Sequence, residues 1–108
     1  MRLISIKNQN EFDHVFECGK RYSGQLFSAV VAKGKGTTTL GIIVSKKFGN
    51  AVIRNRIKRQ VRVAFRSIAK GFLVRSEIVI IPKAPARKAK TAEIIIELSS
   101  IAHNAGIL

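Results

Sequence analysis

At Gly49–Asn50 the hydrophobic pattern changes period, and that change limits the folds open to this chain more than any other feature. Before it, "TLGIIVSKK" alternates Leu40, Ile42 and Val44 against Gly41, Ile43, Ser45 and Lys47, the pattern of a strand that ends with Lys46 and Lys47 on opposite faces. After it, Ile53, Ile57, Val61, Ala64 and Ile68 recur at i, i+4, i+8, i+11 and i+15, one stripe of a long helix that stops near Gly71. Gly49–Asn50 lets the chain turn tightly between the two.

The flanking segments complete a mixed α/β pattern. Asn8 with Glu11 three residues later is a helix start, and Phe12, Val15 and Phe16 at helical spacing before Gly19 predict a helix over about 9–18. "GQLFSAVVAK" alternates as a strand, breaks at the Gly-rich "KGKGTTT", and is expected to form a hairpin with "TLGIIVSKK". "EIVIIPK" is a continuous apolar run closed by Pro82, which suits a strand buried on both faces. A basic connection, "APARKAK", then leads to a last helix using Ile94, Ile95, Leu98, Ile101 and Ala102. The order is helix, strands, helix, strand, helix, an α/β sandwich of two or three layers forming one domain over 1–108.

Charge divides this domain unevenly. All six acids (Glu11, Asp13, Glu17, Glu77, Glu93 and Glu97) lie toward the ends, where six basic residues offset them, so the net +14 belongs entirely to residues 18–76. Self-repulsion on that scale opposes folding, and a polyanionic partner is the usual reason to tolerate it. Nucleic acid fits best. A membrane surface also attracts Lys and Arg, but an interfacial helix would carry Trp or Leu anchors, and the chain has no Trp and one Tyr.

The charge peaks in "RNRIKRQVRVAFR", with six basic side chains in thirteen positions and no acid. At ~100° per residue Asn55, Arg59, Arg62 and Arg66 fall roughly opposite the apolar stripe. A face that is only solvated usually mixes signs, so that Glu and Lys support each other four residues apart. Arg54 and Arg56 stand ~160° apart and point to opposite flanks, with Asn55 between them offering an amide to a base edge or phosphate. Arginine can take a phosphate with two parallel hydrogen bonds, and the helix N-terminus adds its own attraction for an anion.

A catalytic centre is not visible beside this cationic face. The two histidines, His14 and His103, lie near opposite ends, Asp13 and Glu17 share a helix face without a third acid, and no Cys/His cluster suggests zinc. "KGKGTTT" lacks the lysine spacing of a phosphate-binding loop. Cys18 is single and reads as a small residue near a helix end. No run approaches the ~20 apolar residues of a membrane span, and the first ten residues lack the pattern of a secretory signal, so a cytoplasmic location is expected.

The stretch "GIIVSKKFGNAVIRNRIKRQVRVAF", Gly41 to Phe65, resembles the signature of the bacterial ribonuclease P protein component, the small basic subunit that partners a catalytic RNA in removing the 5′ leader from precursor tRNA. The likeness extends to "EFDHVFECGK", "EIVIIPKAPA" and, more weakly, the last helix. It implies an α+β fold, an αβββαβα sandwich with a central, mostly four-stranded sheet and a left-handed βαβ crossover, as in ribosomal protein S5 domain 2. It also implies an endoribonuclease whose chemistry belongs to the RNA subunit and its magnesium ions, with no cofactor or metal bound by the protein alone. The expected partners are that RNA, one protein per RNA subunit, and precursor tRNA. By resemblance Lys46, Lys47, Arg54, Asn55, Arg56, Lys58, Arg59, Arg62 and Arg66 form the RNA-binding surface. Phe12, Phe16, Val30, Ser45 and Lys47 match a leader cleft placed between the basic helix and the open sheet face. Val30 stands where relatives often carry an aromatic residue, Ser76–Glu77 replaces a more usual Asp-aromatic pair, and the basic segment before the first helix is short.

Two other classes fit the charge. A structural RNA-binding protein of ribosomal type would show the same map but not the ordered Arg-Asn-Arg element. A DNA-binding helix-turn-helix domain would need a helix closely before the basic one, where the pattern gives strands.

Overall fold

A computed structural model describes residues 3–6, 8–34 and 36–108. Arg2 and Lys7, counted above among the terminal charges, and Lys35 of the Gly-rich stretch lie outside the described residues. The chain runs β1 (Leu3–Ser5), α1 (Gln9–Cys18), β2 (Lys20–Ser23), β3 (Phe27–Lys33), β4 (Thr38–Ile42), α2 (Ala51–Ala69), β5 (Ser76–Pro82) and α3 (Thr91–Asn104). Short 3-10 turns at Lys46–Phe48 and Ala84–Lys88 precede α2 and α3. This is the expected α+β order with one strand more, β1, at the start.

The five strands lie in the order β1-β4-β5-β3-β2. β5 is parallel to β4 and antiparallel to β3, and so separates the two segments expected to form a hairpin. The hairpin is instead β2–β3, with Lys20 opposite Val31 and Ser23 opposite Ser28. β3 and β4 are therefore not hairpin partners, and Arg75, just before β5, holds Gly34 and Gly36 of the connection between them. The Gly34 N–H donates to the Arg75 carbonyl at 3.0 Å, and the Arg75 guanidinium donates to the Gly36 carbonyl at 3.3 Å. The apolar run Ile78–Ile80 is central because both neighbours are strands and both faces are covered.

α2 and α3 cover one face. Ile57, Val61, Ala64, Phe65 and Ile68 of α2, with Ile94, Leu98 and Ile101 of α3, pack on Phe27, Ala29, Val31, Leu40, Ile78 and Ile80. Each fully buried Ile or Leu contributes roughly 1.5–3 kcal/mol, which outweighs the modest helix preference of the β-branched residues in α2. α1 covers the other face, where Val15 packs with Val30, Ala32 and Val79. The result is three layers.

The caps explain where the helices start. Asn8 Oδ1 accepts the Glu11 N–H at 2.9 Å, as its spacing predicts, and Asn50 Oδ1 accepts the Ile53 N–H at 3.0 Å. Gly49 has an extended φ of 161°. Its smallness rather than a left-handed turn is what the site needs, since a Cβ there would stand 2.9 Å from Ile53 Cγ2.

Candidate nucleic-acid interface

The basic surface is assembled from three segments. Lys46 and Lys47 do not end a strand, because β4 stops at Ile42 and they lie exposed in the 3-10 turn. Phe48, 4% exposed, anchors that turn in the core and holds the two lysines beside the start of α2. Arg87, from the 3-10 turn before α3, joins them. Its guanidinium lies 5.5 Å from the Phe48 ring centroid and donates to the Lys47 carbonyl at 3.2 Å. Arg56 then donates to the Arg87 carbonyl at 3.4 Å. Each guanidinium has five N–H donors, so one bond to a carbonyl leaves the rest of the fork available.

Along α2 the outward residues Asn55, Arg56, Arg59, Arg62 and Arg66 are exposed, while Arg54 and Lys58 are half-buried beside the apolar stripe. The first turn of α2 holds no acid, so the positive end of the helix and its lysines act on the same region. None of these cations lies within ion-pair distance of a carboxylate among the described residues; the close contact of a carboxylate with a basic side chain seen there, His14 Nε2–Glu77 Oε2 at 3.3 Å, links α1 to β5. Two exposed valines, Val52 and Val63, share the basic face. Sequence reasoning missed Arg87, since it lies in a terminal segment whose charges cancel in sum but not in space.

Phe12, Phe16 and Val30 come together, but on the sheet face opposite α2. The cleft placed beside the basic helix is therefore corrected: the two faces of one sheet cannot both be lined by α2, and α1 is the helix that borders these residues. Val30 is 1% exposed and packs under α1, so its side chain is core rather than cleft wall. Phe12 and Phe16 are half-buried. A Cβ on Gly41 would stand 2.5 Å from Phe12 Cε1, so the ring lies directly on the β4 backbone. The Arg21 guanidinium sits 5.8 Å from the Phe16 ring centroid. Ser28 and its cross-strand partner Ile81, with Ile43, are half-exposed and continue this surface beyond α1. Ser45 is exposed in an extended conformation two residues past Ile43, which by strand alternation puts it on the same side.

No group of three or more His, Cys, Asp or Glu side chains that could hold a metal ion occurs among the described residues. Asp13 is exposed and accepts from Gln9 Nε2 at 2.9 Å. Glu97 is structural, its carboxylate accepting the N–H groups of Leu26 and Phe27 at 2.7–2.9 Å. Among the described residues no helix is long and apolar enough to cross a membrane.

The family model described as Ribonuclease P matches residues 1–106. A ribonuclease P protein component of Listeria monocytogenes is 40% identical over 83 residues, covering 75% of this chain and 70% of the relative. One from Shouchella clausii is 36% identical over 105 residues, covering 95% and 86%. Among solved structures, the RNase P protein of Staphylococcus aureus superposes with a TM-score of 0.85 at 30% identity, covering 98% of each chain. That of Thermotoga maritima superposes with 0.80 at 27% identity, covering 90% of this chain and 93% of its own. The match of the family model along nearly the whole sequence and the shared fold show that the chain belongs to the ribonuclease P family, as the protein component of that RNA–protein processing enzyme.

Proposed function

We propose that this chain docks on the ribonuclease P RNA through the outer face of α2 and the Lys46–Phe48 turn, and presents the α1 face of its sheet to the 5′ leader of precursor tRNA. The observation that carries the reading is the one-signed face of α2, whose exposed arginines have no carboxylate partner among the described residues. Phosphates complete such a surface, and each contact releases condensed counterions from the RNA. Protein cations placed near the catalytic RNA then do part of the screening that magnesium otherwise supplies, so the assembled enzyme works at lower magnesium.

Bond cleavage in this reading belongs to the RNA subunit and the magnesium ions it binds, with one protein per RNA subunit, in the cytoplasm. On the leader side, the exposed edges of Phe12 and Phe16 offer stacking surfaces and Arg21 a phosphate contact, while Ser45 and Lys47 border the end of β4. The test is the salt dependence of binding to the RNA subunit. About six phosphate contacts give a slope of log affinity against log salt near −4 to −5, and a slope near −1 would contradict docking through α2.

A further inference from the structure

Beyond the end of α3 a depression of about 560 Å³ opens at the β2 edge of the sheet. Lys20, Tyr22, Lys33, Cys18, Asn104 and Gly106 are among its walls. The register explains why the basic residues converge there. Lys20 and Tyr22 pair with Val31 and Ala29, whose side chains face α2 and α3, and Lys33 follows Val31 on that side. α3 stops at Asn104, short of covering them, and Gly106 at φ 76° turns the chain away into the buried Ile107. Both lysines are exposed, and Tyr22 is half-buried with its ring against the core. Among the described residues no carboxylate lines the depression.

Two ammonium groups, one supported aromatic ring and an amide, with no acid, are the elements that hold a phosphate and a base together. The volume lies in the ~300–1,000 Å³ range of pockets that accept groups of small-molecule size. The position indicates which nucleic acid reaches it. α2, at 19 residues, is ~28 Å long, and its exposed Arg66 and Lys70 carry the basic face toward its C-terminal end. There the Leu73 N–H donates to the Ile107 carbonyl at 2.7 Å, next to Gly106. A single strand that follows α2 to its C-terminal end thus arrives at the segment bonded to the border of the depression.

We propose that the depression binds a single-stranded nucleotide of the ribonuclease P RNA subunit, its phosphate on Lys20 and Lys33 and its base against Tyr22, as a second contact separate from the α2 face. The inference rests on docking of that RNA along α2.

Binding of the full chain to the RNA subunit tests it. Lys20→Ala with Lys33→Ala should reduce the magnitude of the salt slope by about 1.4–1.8, the share of two phosphate contacts. Tyr22→Leu, which leaves the charge unchanged, should weaken binding about 5- to 150-fold, while Tyr22→Phe retains the stacking surface and most of the affinity. Cys18, the sole cysteine and exposed, reports locally: its alkylation by iodoacetamide should slow when the RNA subunit is bound. Cys18 alkylated at the same rate with and without RNA, or an unchanged salt slope in the lysine variant while Arg62→Ala still weakens binding, would overturn the proposal. An Arg62→Ala variant that binds normally is the separate result that removes the α2 reading and this extension with it.

Discussion

Arg56 donates from its guanidinium to the main-chain carbonyl of Arg87 at 3.4 Å, and Arg87 donates in turn to the carbonyl of Lys47 at 3.2 Å. The two bonds fasten α2, the turn before α3 and the turn before α2 into one surface. Arg56→Ala and Arg87→Ala are therefore expected each to weaken RNA-subunit binding about 5- to 150-fold. Their effects should not add, with a coupling of about 0.5–3 kcal/mol in a double-mutant cycle. Strict additivity would mean that the bridge does nothing for the interface.

Arg54 stands ~160° around the helix from Arg56, yet both belong to the layer opposite α1. Arg54→Ala should act on binding of the RNA subunit, as Arg56→Ala does. Discrimination between precursor tRNA with and without a leader should respond instead to Arg21→Ala and Phe16→Ala. Affinity of the assembled enzyme for the two substrates separates the cases, and a leader-specific loss in Arg54→Ala would contradict the assignment of faces.

Gly41→Ala tests the α1 side without touching a charge. The added Cβ would lie 2.5 Å from Phe12 Cε1 and 3.1 Å from Ile6 Cδ1, so the Phe12 ring has to move. Overpacking of this kind costs about 1–3 kcal/mol. The expected result is a lower melting temperature together with weaker binding of leader-bearing substrate, while the salt slope on the RNA subunit stays unchanged.

Glu97 anchors the hairpin through its hydrogen bonds to the Leu26 and Phe27 N–H groups. Glu97→Ala leaves these donors without their acceptor, at a cost of about 1–3 kcal/mol. For a domain of this size that lowers the melting temperature by roughly 5–15 °C. Scanning calorimetry checks it, and an unchanged transition would show that water replaces the carboxylate.

The stripes of α2 and α3 were legible because a repeat of 3.6 states which side of a helix is buried, the doubly buried β5 because its apolar run is unbroken, and the Asn8 cap because Glu11 follows it at the capping spacing. Strand neighbours were not, since alternation in "LFSAVV" and "TLGIIV" names faces without naming partners. The intervening β5 arrives some forty residues later to split the expected hairpin. The three-residue β1 gives too short a pattern to read. The cationic face of α2 was visible in its lack of acids, but Arg87 was hidden by counting charge along the chain. The misplaced cleft has the same origin: Phe12 and Phe16 are plainly apolar in the sequence, but which face α1 covers is decided by topology.

The most direct measurement is cleavage of precursor tRNA by the RNA subunit of the same organism, followed across magnesium concentrations with and without this protein. Cleavage at the mature 5′ end is expected only when the RNA is present, with the magnesium dependence shifted to lower concentration when the protein is added. An Arg59→Ala, Arg62→Ala variant should lose that shift. An identical magnesium dependence with and without the protein, or cleavage by the protein freed of RNA, would contradict this expectation.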